Sequence, residues 1–520
     1  MTALALQPIK SGGDCFDDVV ATLNAWFQQG YEMMYADALL FDFQQAEADR
    51  TTIASRMKLL NQPLHMLEIF HGYAVNIHQT APAEGWRIIK DELDKGFPVG
   101  LNVDSYYVPW DDKYRKEHYY THMIVVVGVD ADDQLICLDP YFEMTDQLLP
   151  RQELELGFRA CMTLREGKGR IPNRERLVAT FRPLIARQQE QLVSAFEPLV
   201  HALDGIDFAE ETKGCEDFGG SPLYHQLSSL IFSRFNFAKS LDYMAEQYGL
   251  EPLRDFADQC RHYSNKWSTV RALLAKMNYA SQLPGAPDLT DNLKQRVRQL
   301  VASEADMLAQ LLACLDGGGA AQLAGSREVS PERRQAEQTG KPAETVIPVD
   351  LASYCNNYGI AGPRANFDAV GFYYARVNMP DGGLLRIEDM SFRFPACEAG
   401  APDNIACEGQ TVTLPTEEVR GMMLLGSGEQ GNHAEIAKLV FADGSSEEVA
   451  MDFPDWWSRM GHSRHVIAWQ SWPEHDEKGR ASHSVHLFAK KITFSEAKRV
   501  REIVLPLLPN LHLFALSLWK

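Results

Sequence analysis

The spacing of apolar residues changes twice along this chain, and this change constrains the fold more than any single motif. Up to about residue 170, helix-like and strand-like segments are mixed; from Asn173 to residue 316 the apolar residues keep the period of amphipathic helices. Beyond residue 345, short alternating segments are separated by Gly, Asp and Pro. Because 520 residues are too many for one hydrophobic core, we expect a multidomain α+β protein.

We predict four segments from these changes. They are a mixed α+β domain over 1–170, an all-helical domain over 171–316, a flexible linker over 317–345 and an antiparallel, jelly-roll-like β-sandwich over 346–520. The linker prediction depends on a composition rich in Gly, Gln, Glu and Arg with few apolar side chains.

The apolar period also predicts individual elements. In the first domain, helices are expected over 15–29 and 86–95, and a glycine ends each of them. In the helical domain, two helical stretches are expected around 177–185 and 192–203. Three longer helices should follow over 228–248, 253–279 and 289–315. In the first domain, strands are expected over 98–104, 123–129 and 135–138. In the last domain, they are expected over 372–377, 384–387, 411–414, 422–425, 438–441, 446–451, 466–469, 486–490 and 513–518.

The charge argues against two classes of partner. Fifty basic and 71 acidic residues give a net charge of −21. Nucleic acids and anionic membranes are bound through basic surface, so we expect neither as a partner.

Cysteine usage and the lack of apolar runs predict a cytoplasmic protein. The nine cysteines are scattered, odd in number and without a C-x-x-C pair, which favours reduced thiols over a disulfide framework or a structural zinc site. The first residues do not resemble a secretory signal, and no apolar run is long enough to cross a bilayer.

Three residues in the first domain predict thiol nucleophilic catalysis. Cys15 follows Gly-Gly-Asp and opens a predicted helix, His122 begins a buried valine run, and Asp139 ends the next strand before a proline. A thiol needs a base to become a thiolate, and the base needs a carboxylate to fix its tautomer. The free N–H groups of a helix N-terminus also favour a thiolate. We therefore predict Cys15 as nucleophile, His122 as base and Asp139 as the residue that orients the base.

The groups around this triad are less sharply defined by the sequence. The backbone N–H of Cys15 is the expected oxyanion donor, and Gln7 is the amide side chain just upstream. Asp104, Tyr107 and His118 are further oxyanion or substrate candidates; the aromatic segment 104–110 would line an acyl pocket or pack on the surface. A metal bound by His118 and His122 would need a helical segment, whereas the sequence predicts extended chain there. We expect neither a metal nor a cofactor.

At these residues the chain resembles the N-terminal domain of the butirosin-biosynthesis acyltransferase family. The resemblance covers about residues 5–165 and includes the Gly-Asp-Cys before a helix, Pro98-Val99, Tyr107-x-Pro109, the two histidines four residues apart and Asp139-Pro140. It implies a papain-like cysteine fold, with Cys15, His122 and Asp139 at the positions of the family triad. The helical region containing Trp267 is similar to the domain that often follows in this family.

The resemblance implies acyl transfer from a carrier-protein thioester to an amine in the biosynthesis of natural products such as nonribosomal peptides. The acyl or peptidyl group would pass through Cys15 to a polyamine, an aminosugar or an amino acid. Two alternatives to acyl transfer stay open. A thioesterase or cysteine peptidase would use the same triad, whereas a non-catalytic protein would act as a scaffold for a biosynthetic assembly line. A carrier protein is acidic and would need local basic residues, for which the sequence offers Lys10, Lys90, Lys95, Lys113 and Arg115.

The last domain carries a second resemblance, to galactose-binding β-sandwich modules. It depends on Asn, Asp and Gly at predicted turns and on an Asp-Trp-Trp motif, in the segments 350–351, 356–360, 367–368, 402–404, 409–410, 443–445 and 455–457. Three roles stay open for this domain at this point: sugar binding, a structural or docking role, and binding of calcium by turn carboxylates.

Overall fold

The computed structural model describes most of the chain. The described residues are 3–11, 13–47, 50–166, 171–282, 288–316, 345–362, 364–369, 371–376, 382–387, 390–396, 401–458, 465–476, 479–481 and 484–520. The predicted linker, 317–345, lies outside them apart from its last residue.

A six-stranded antiparallel sheet organises the first part of the chain. The helices here are α1 (Cys15–Trp26), α2 (Ile53–Arg56), α3 (Pro63–His71), α4 (Pro82–Asp94) and α5 (Arg151–Gly157). The strands are β1 (Phe41–Phe43), β2 (Met57–Leu59), β3 (Tyr73–His78), β4 (Val99–Val103), β5 (His122–Val129), β6 (Leu135–Asp139), β7 (Met144–Leu149) and β8 (Phe158–Glu166). The sheet order is β3-β8-β4-β5-β6-β7, and β1 pairs with β2 separately.

Helices cover both faces of this sheet. Val19 and Leu23 of α1 lie in one core cluster with Val125 of β5, whereas Ile89 of α4 packs on the opposite face beside Ile124. All eight residues of β5 are buried, which explains its unbroken apolar run. α1 ends three residues before the predicted position, at Trp26, and α4 begins four residues earlier than predicted, at Pro82.

The middle of the chain is helical, as predicted. It contains α6 (Arg174–Ala202), α7 (Phe208–Glu211), α8 (Pro222–Tyr248), α9 (Leu253–Ala280) and α10 (Thr290–Leu315). α6 is one helix where the period suggested two stretches, and it runs through Pro183 and Pro198. Both prolines are exposed, so water can solvate the carbonyl groups that they leave without a donor.

The last part is an antiparallel β-sandwich. Its strands are β9 (Val346–Val349), β10 (Phe372–Tyr374), β11 (Leu384–Ile387), β12 (Met390–Arg393), β13 (Ile405–Glu408), β14 (Thr411–Thr413), β15 (Glu418–Gly428), β16 (His433–Phe441), β17 (Ser446–Phe453), β18 (Val466–Ser471), β19 (Pro473–His475), β20 (Gly479–Arg480), β21 (Val485–Val504) and β22 (Leu507–Trp519). The main sheet contains nine strands along the path β13-β22-β15-β21-β16-β17, and β9, β14 and β18 pair at its sides.

The central strands of the sandwich are covered on both faces. Leu424 and Leu516 face the core shared with the helices, whereas Leu425 and Ala515 face a second cluster that contains Trp456. Helix α9 packs against β22. The fold is therefore a mixed α+β fold with a helical middle region and a C-terminal antiparallel sandwich, which confirms the predicted class. The papain-like relationship and the domain boundaries stay predictions.

Among the described residues, no helix is both long enough and apolar enough to cross a bilayer.

Candidate active site

Cys15 is the first residue of α1, and local sequence explains why the helix begins there. Asp14 has an extended backbone, and its carboxylate accepts a 2.9 Å hydrogen bond from the N–H of Asp17, so it caps the helix. The N–H groups of Cys15 and Phe16 occupy the first two helical positions and therefore have no acceptor within the helix. They are available to an anion beside the thiol.

The structure brings Cys15 to the start of β5. Its sulfur lies 3.3 Å from the carbonyl oxygen of Thr121, the residue before His122. His122 pairs with Val103 of β4, so β4 and β5 meet α1 at one end of the sheet. Cys15 is half-buried and the His122 side chain is buried, which leaves the thiol as the accessible member of the pair.

A hydrogen bond joins His122, the predicted base, to Asp139, the residue predicted to orient it. Its Nε2 donates a 2.8 Å hydrogen bond to Asp139 Oδ2, and the carboxylate is completely buried at the end of β6. The indole N–H of Trp110 donates a second 2.8 Å hydrogen bond to the same oxygen. Because Nε2 is engaged, Nδ1 is the ring nitrogen left for the thiol.

The electrostatics favour a charged imidazole. Burial by itself lowers the pKa of His122, but hydrogen bonds with Asp139 and Cys15, together with the negative charges of both groups, outweigh burial and raise this pKa to about 9. A protonated His122 beside Cys15 would stabilise a thiolate.

Aromatic rings and one lysine surround the pair. The rings of Tyr141 and Phe142 lie 6.4 and 5.7 Å from that of His122. Lys10 donates a 2.8 Å hydrogen bond to the carbonyl oxygen of Tyr141 and lies 5.4 Å from the centre of its ring. The charge of Lys10 therefore lies against Tyr141, the residue whose ring neighbours that of His122.

Two of the further candidates, Gln7 and Tyr107, have no described contact with Cys15, His122 or Asp139. Gln7 is exposed, in a segment whose Leu4 N–H bonds the carbonyl oxygen of Val127. Tyr107 packs against Tyr106 and beside Gly157. The backbone N–H groups at the start of α1 are thus better placed as oxyanion donors than Gln7.

Asp104 and His118 form a second histidine–carboxylate pair. His118 Nδ1 lies 2.8 Å from Asp104 Oδ2, and Asp104 is fully buried. His118 and His122 are bound to different carboxylates, Asp104 and Asp139. Among the described residues, no group of three or more His, Cys, Asp or Glu side chains would suit a metal ion.

Sequence reasoning missed the contacts of four residues around the site. Trp110 was identified only as a pocket or surface aromatic residue, whereas it binds Asp139. Asn102 donates a 3.2 Å hydrogen bond to the carbonyl oxygen of His122. Tyr141 and Phe142 could have been found, because the Asp139-Pro140 turn keeps the next residues close to the end of β6.

The other basic candidates for a carrier-protein contact are engaged elsewhere. Lys95, Lys113 and Arg115 form ion pairs with Glu92, Glu117 and Glu153, and Lys90 on α4 lies 3.9 Å from Asp133. Lys10 instead contacts Tyr141, whose ring centre lies 6.4 Å from that of His122.

The turn motifs of the sandwich are used inside the fold. Asp403 accepts hydrogen bonds of 3.0 Å from the N–H groups of Gly359 and Ile360, and Asn404 accepts one from His512. Trp456 is fully buried. These contacts give Asp403, Asn404 and Trp456 roles within the fold, in line with the structural alternative.

An α+β protein that places a helix-terminal cysteine beside a histidine–aspartate pair has the groups of a nucleophilic thiol enzyme. Residues 21–140 match the family model of butirosin biosynthesis protein H, N-terminal, and residues 348–520 match that of the AziU2-like beta-sandwich domain. These matches confirm the family resemblance of the first part and the predicted sandwich of the last part. The first match fits an enzyme of secondary-metabolite biosynthesis; it includes His122 and Asp139 and begins after Cys15. No curated protein matches the chain.

Proposed function

We propose that this protein moves an acyl or peptidyl group from a carrier-protein thioester to an amine through an acyl-Cys15 intermediate. The observation that carries the proposal is the contact of Cys15 with the start of β5, where His122 is bonded to buried Asp139. The match of residues 21–140 to a butirosin-biosynthesis family supports a role in natural-product biosynthesis.

In the first half-reaction, the thiol becomes a thiolate by giving its proton to His122. The sulfur attacks the thioester carbonyl, and the developing oxyanion is stabilised by the N–H groups of Cys15 and Phe16 at the start of α1. When the tetrahedral intermediate collapses, the carrier's pantetheine sulfur leaves and takes the proton from His122. Asp139 keeps the imidazole in the orientation that both transfers require.

In the second half-reaction, an incoming amine attacks the acyl-Cys15 carbonyl while His122 takes one N–H proton from the amine. The C–S bond then breaks, and the Cys15 sulfur leaves as a thiolate beside the protonated imidazole. Exchange of a thioester for an amide is favourable, so the reaction as proposed uses neither a cofactor nor a metal. A polyamine, an aminosugar or an amino acid would supply the amine. Lys10 supplies positive charge beside the triad for an acidic carrier protein, and the proposed setting is the cytoplasm.

The test is to incubate the protein with a set of acyl-N-acetylcysteamine thioesters and measure the mass of the peptide that contains Cys15. We expect an acyl adduct that Cys15→Ala abolishes and His122→Ala slows. Addition of amines should then release amide rather than free acid. Release of free acid in the presence of every amine would indicate a thioesterase, and the absence of an adduct would favour the scaffold reading.

A cysteine peptidase would use the same three side chains. It is distinguished by cleavage of peptide substrates without added thioester. Cleavage that Cys15→Ala abolishes would replace the transferase proposal.

A further inference from the structure

A polar groove lies between one face of α8 and the segment that follows α1. Residues 28–32 form one of its walls. The other wall is a polar stripe at the spacing of one helical face of α8, made by Lys239, Asp242, Tyr243, Glu246 and Gln247. The groove has a volume of about 610 Å³, which is enough for a small-molecule ligand.

Two hydrogen bonds hold α8 beside α1 and the segment after it. Asn236 of α8 donates to the carboxylate of Asp17, in the first turn of α1, at 3.3 Å. One turn further along α8, Ser240 donates to the carbonyl oxygen of Glu32 at 2.7 Å. Helix α8 therefore passes the turn that Cys15 opens before it reaches the wall of the groove.

One end of the groove lies within one helical turn of Cys15. Ser11 lines the groove, and its N–H and hydroxyl groups donate to Asp18 Oδ1 at 2.6 and 2.7 Å. Asp18 is three residues after Cys15 on α1, so the Cβ atoms of these two residues are about 5–6 Å apart. Burial raises the pKa of the Tyr141 hydroxyl and the charges of Cys15 and Asp18 raise it further, which places this hydroxyl near both. An acceptor in the groove can therefore extend an amine to an acyl group on Cys15.

The groove is acidic, and a carboxylate at its Cys15 end lacks a donor. Glu32 and Glu246 line the groove, and neither forms an ion pair with a described residue. Asp18 is 1% exposed, and its Oδ2 has no hydrogen-bond donor among the residues that the structure describes. Leaving a buried carboxylate oxygen without a donor is costly, so this oxygen points to a ligand that supplies an N–H group.

Lys239 also lines the groove, but its charge lies below the surface. Its Nζ is buried without an acceptor among the described residues, 5.3 Å from the centre of the Tyr35 ring and 5.1 Å from that of Phe235. Burial lowers the pKa of Lys239 by more than the neighbouring carboxylates raise it. The accessible charge of the groove therefore comes from its carboxylates.

We propose that this groove binds the acceptor and selects one with a second ammonium group, as found in a linear polyamine or in an aminosugar with several amines; this inference rests on the acyl-Cys15 function proposed above. The reacting amine is neutral, forms its bond to the acyl carbon and gives one N–H proton to His122. The second amine stays charged, and the carboxylates of the groove hold it. An amino acid is disfavoured as acceptor, because its own carboxylate would meet these groups.

The experiment compares acceptors that differ in their number of amines. Acyl-Cys15 is formed from an acyl-N-acetylcysteamine thioester, and its aminolysis by spermidine, kanamycin or butylamine is timed by rapid quenching. We expect spermidine or kanamycin to reach half of its maximal rate at a concentration roughly tenfold below that of butylamine, the factor expected from one charge-assisted hydrogen bond. About 1 M NaCl, at which the Debye length falls to about 3 Å, should reduce the difference. Whichever of spermidine and kanamycin is favoured identifies the source of the second ammonium group.

Glu32→Gln with Glu246→Gln removes two charges from the groove and keeps the shape of both side chains. We expect the half-saturating concentration of the favoured acceptor to rise roughly tenfold, towards that of butylamine. The rate of Cys15 acylation, a step without the acceptor, checks that the variant is folded. Glu175→Gln with Glu190→Gln is the matched control, because it removes two exposed charges from α6. The control should keep the preference, which separates the groove from the net charge of −21.

The outcomes distinguish the two proposals. If wild-type Cys15 accepts no acyl group from any thioester, the proposed function fails and this inference fails with it. If acyl-Cys15 forms and all three acceptors react over the same range of concentration, only the role of the groove is overturned. A preference that survives in the groove variant, or that is lost equally in the α6 control, would also overturn it.

Discussion

The indole N–H of Trp110 donates a 2.8 Å hydrogen bond to Asp139 Oδ2, the oxygen that also accepts from His122. Trp110 therefore helps to fix the carboxylate that bonds His122. Trp110→Phe removes this donor and keeps the aromatic ring. A hydrogen bond of this kind contributes about 1 kcal/mol, so we expect acylation of Cys15 to slow roughly fivefold, with little change in thermal stability. The rate of adduct formation with a thioester measures the effect.

Trp86→Phe is the matched control for that substitution. Trp86 is half-buried on α4, where its ring contacts Arg151 at 3.9 Å. We expect wild-type acylation from this variant. Equal rates in the two variants would show that the Trp110 hydrogen bond does not support catalysis.

Iodoacetamide should label Cys15 before the other described cysteines at neutral pH. Burial raises the pKa of the Cys161 and Cys355 thiols to about 12 and also raises those of Cys137, Cys260 and Cys407. A neutral buried thiol reacts slowly, whereas half-buried Cys15 has His122 as a partner. Peptide mass spectrometry over time gives the order of labelling.

The control for this labelling is His122→Ala, in which Cys15 should react more slowly while the remaining cysteines keep their rates. Labelling of Cys15 at the same rate in both proteins would contradict a working thiol–imidazole pair.

The raised pKa of His122 predicts a loss of stability at high pH. The folded protein binds this proton with a pKa of about 9, against an ordinary value of 6.5, so the contribution is fully present below pH 6.5 and is lost as the pH rises through about 9. The change is on the order of 3 kcal/mol. We expect the difference in unfolding free energy between the wild type and Asp139→Asn to shrink over this range. A difference that stays constant from pH 6 to pH 10 would refute the prediction.

Arg234 and Glu304 form an ion pair inside the helical region. Their charged groups lie 2.7 Å apart, each side chain is 1% exposed, and the Trp267 indole N–H donates to Glu304 at 2.9 Å. Arg234→Met leaves the Glu304 charge buried without its partner, which should destabilise the protein by about 3–5 kcal/mol. Urea unfolding followed by circular dichroism would show the loss. Arg234→Met with Glu304→Leu should recover most of it; an unchanged single variant would contradict the prediction.

Much of the candidate site could be predicted because its parts are local. Asp14 caps the helix that Cys15 opens, and the apolar run after His122 makes a strand that is buried on both faces. Asp139 comes at the end of the neighbouring strand because a turn and a short apolar segment follow that run. Each of these signals lies within about ten residues of the chain, where hydrophobic period and capping chemistry act.

The partners of the site depend on contacts between distant residues. Nothing in the segment 104–110 indicates that Trp110 reaches Asp139, which lies 29 residues later, or that Asp104 binds His118 rather than a substrate. The first part also contains the short elements β1, α2, β2 and α3. Their apolar residues follow no clear helical or strand period, so the sequence did not predict them. Loop conformation decides these contacts, and apolar spacing does not encode it.

The sequence by itself therefore determined the order of helical and strand regions and the three residues expected to do the chemistry. Tertiary structure alone decided which donors hold Asp139, which carboxylate binds each histidine, and that Gln7 lies exposed. The physical reason is that periodicity reports which face of an element is buried, whereas a hydrogen bond between loops depends on how the folded sheet and helices bring those loops together.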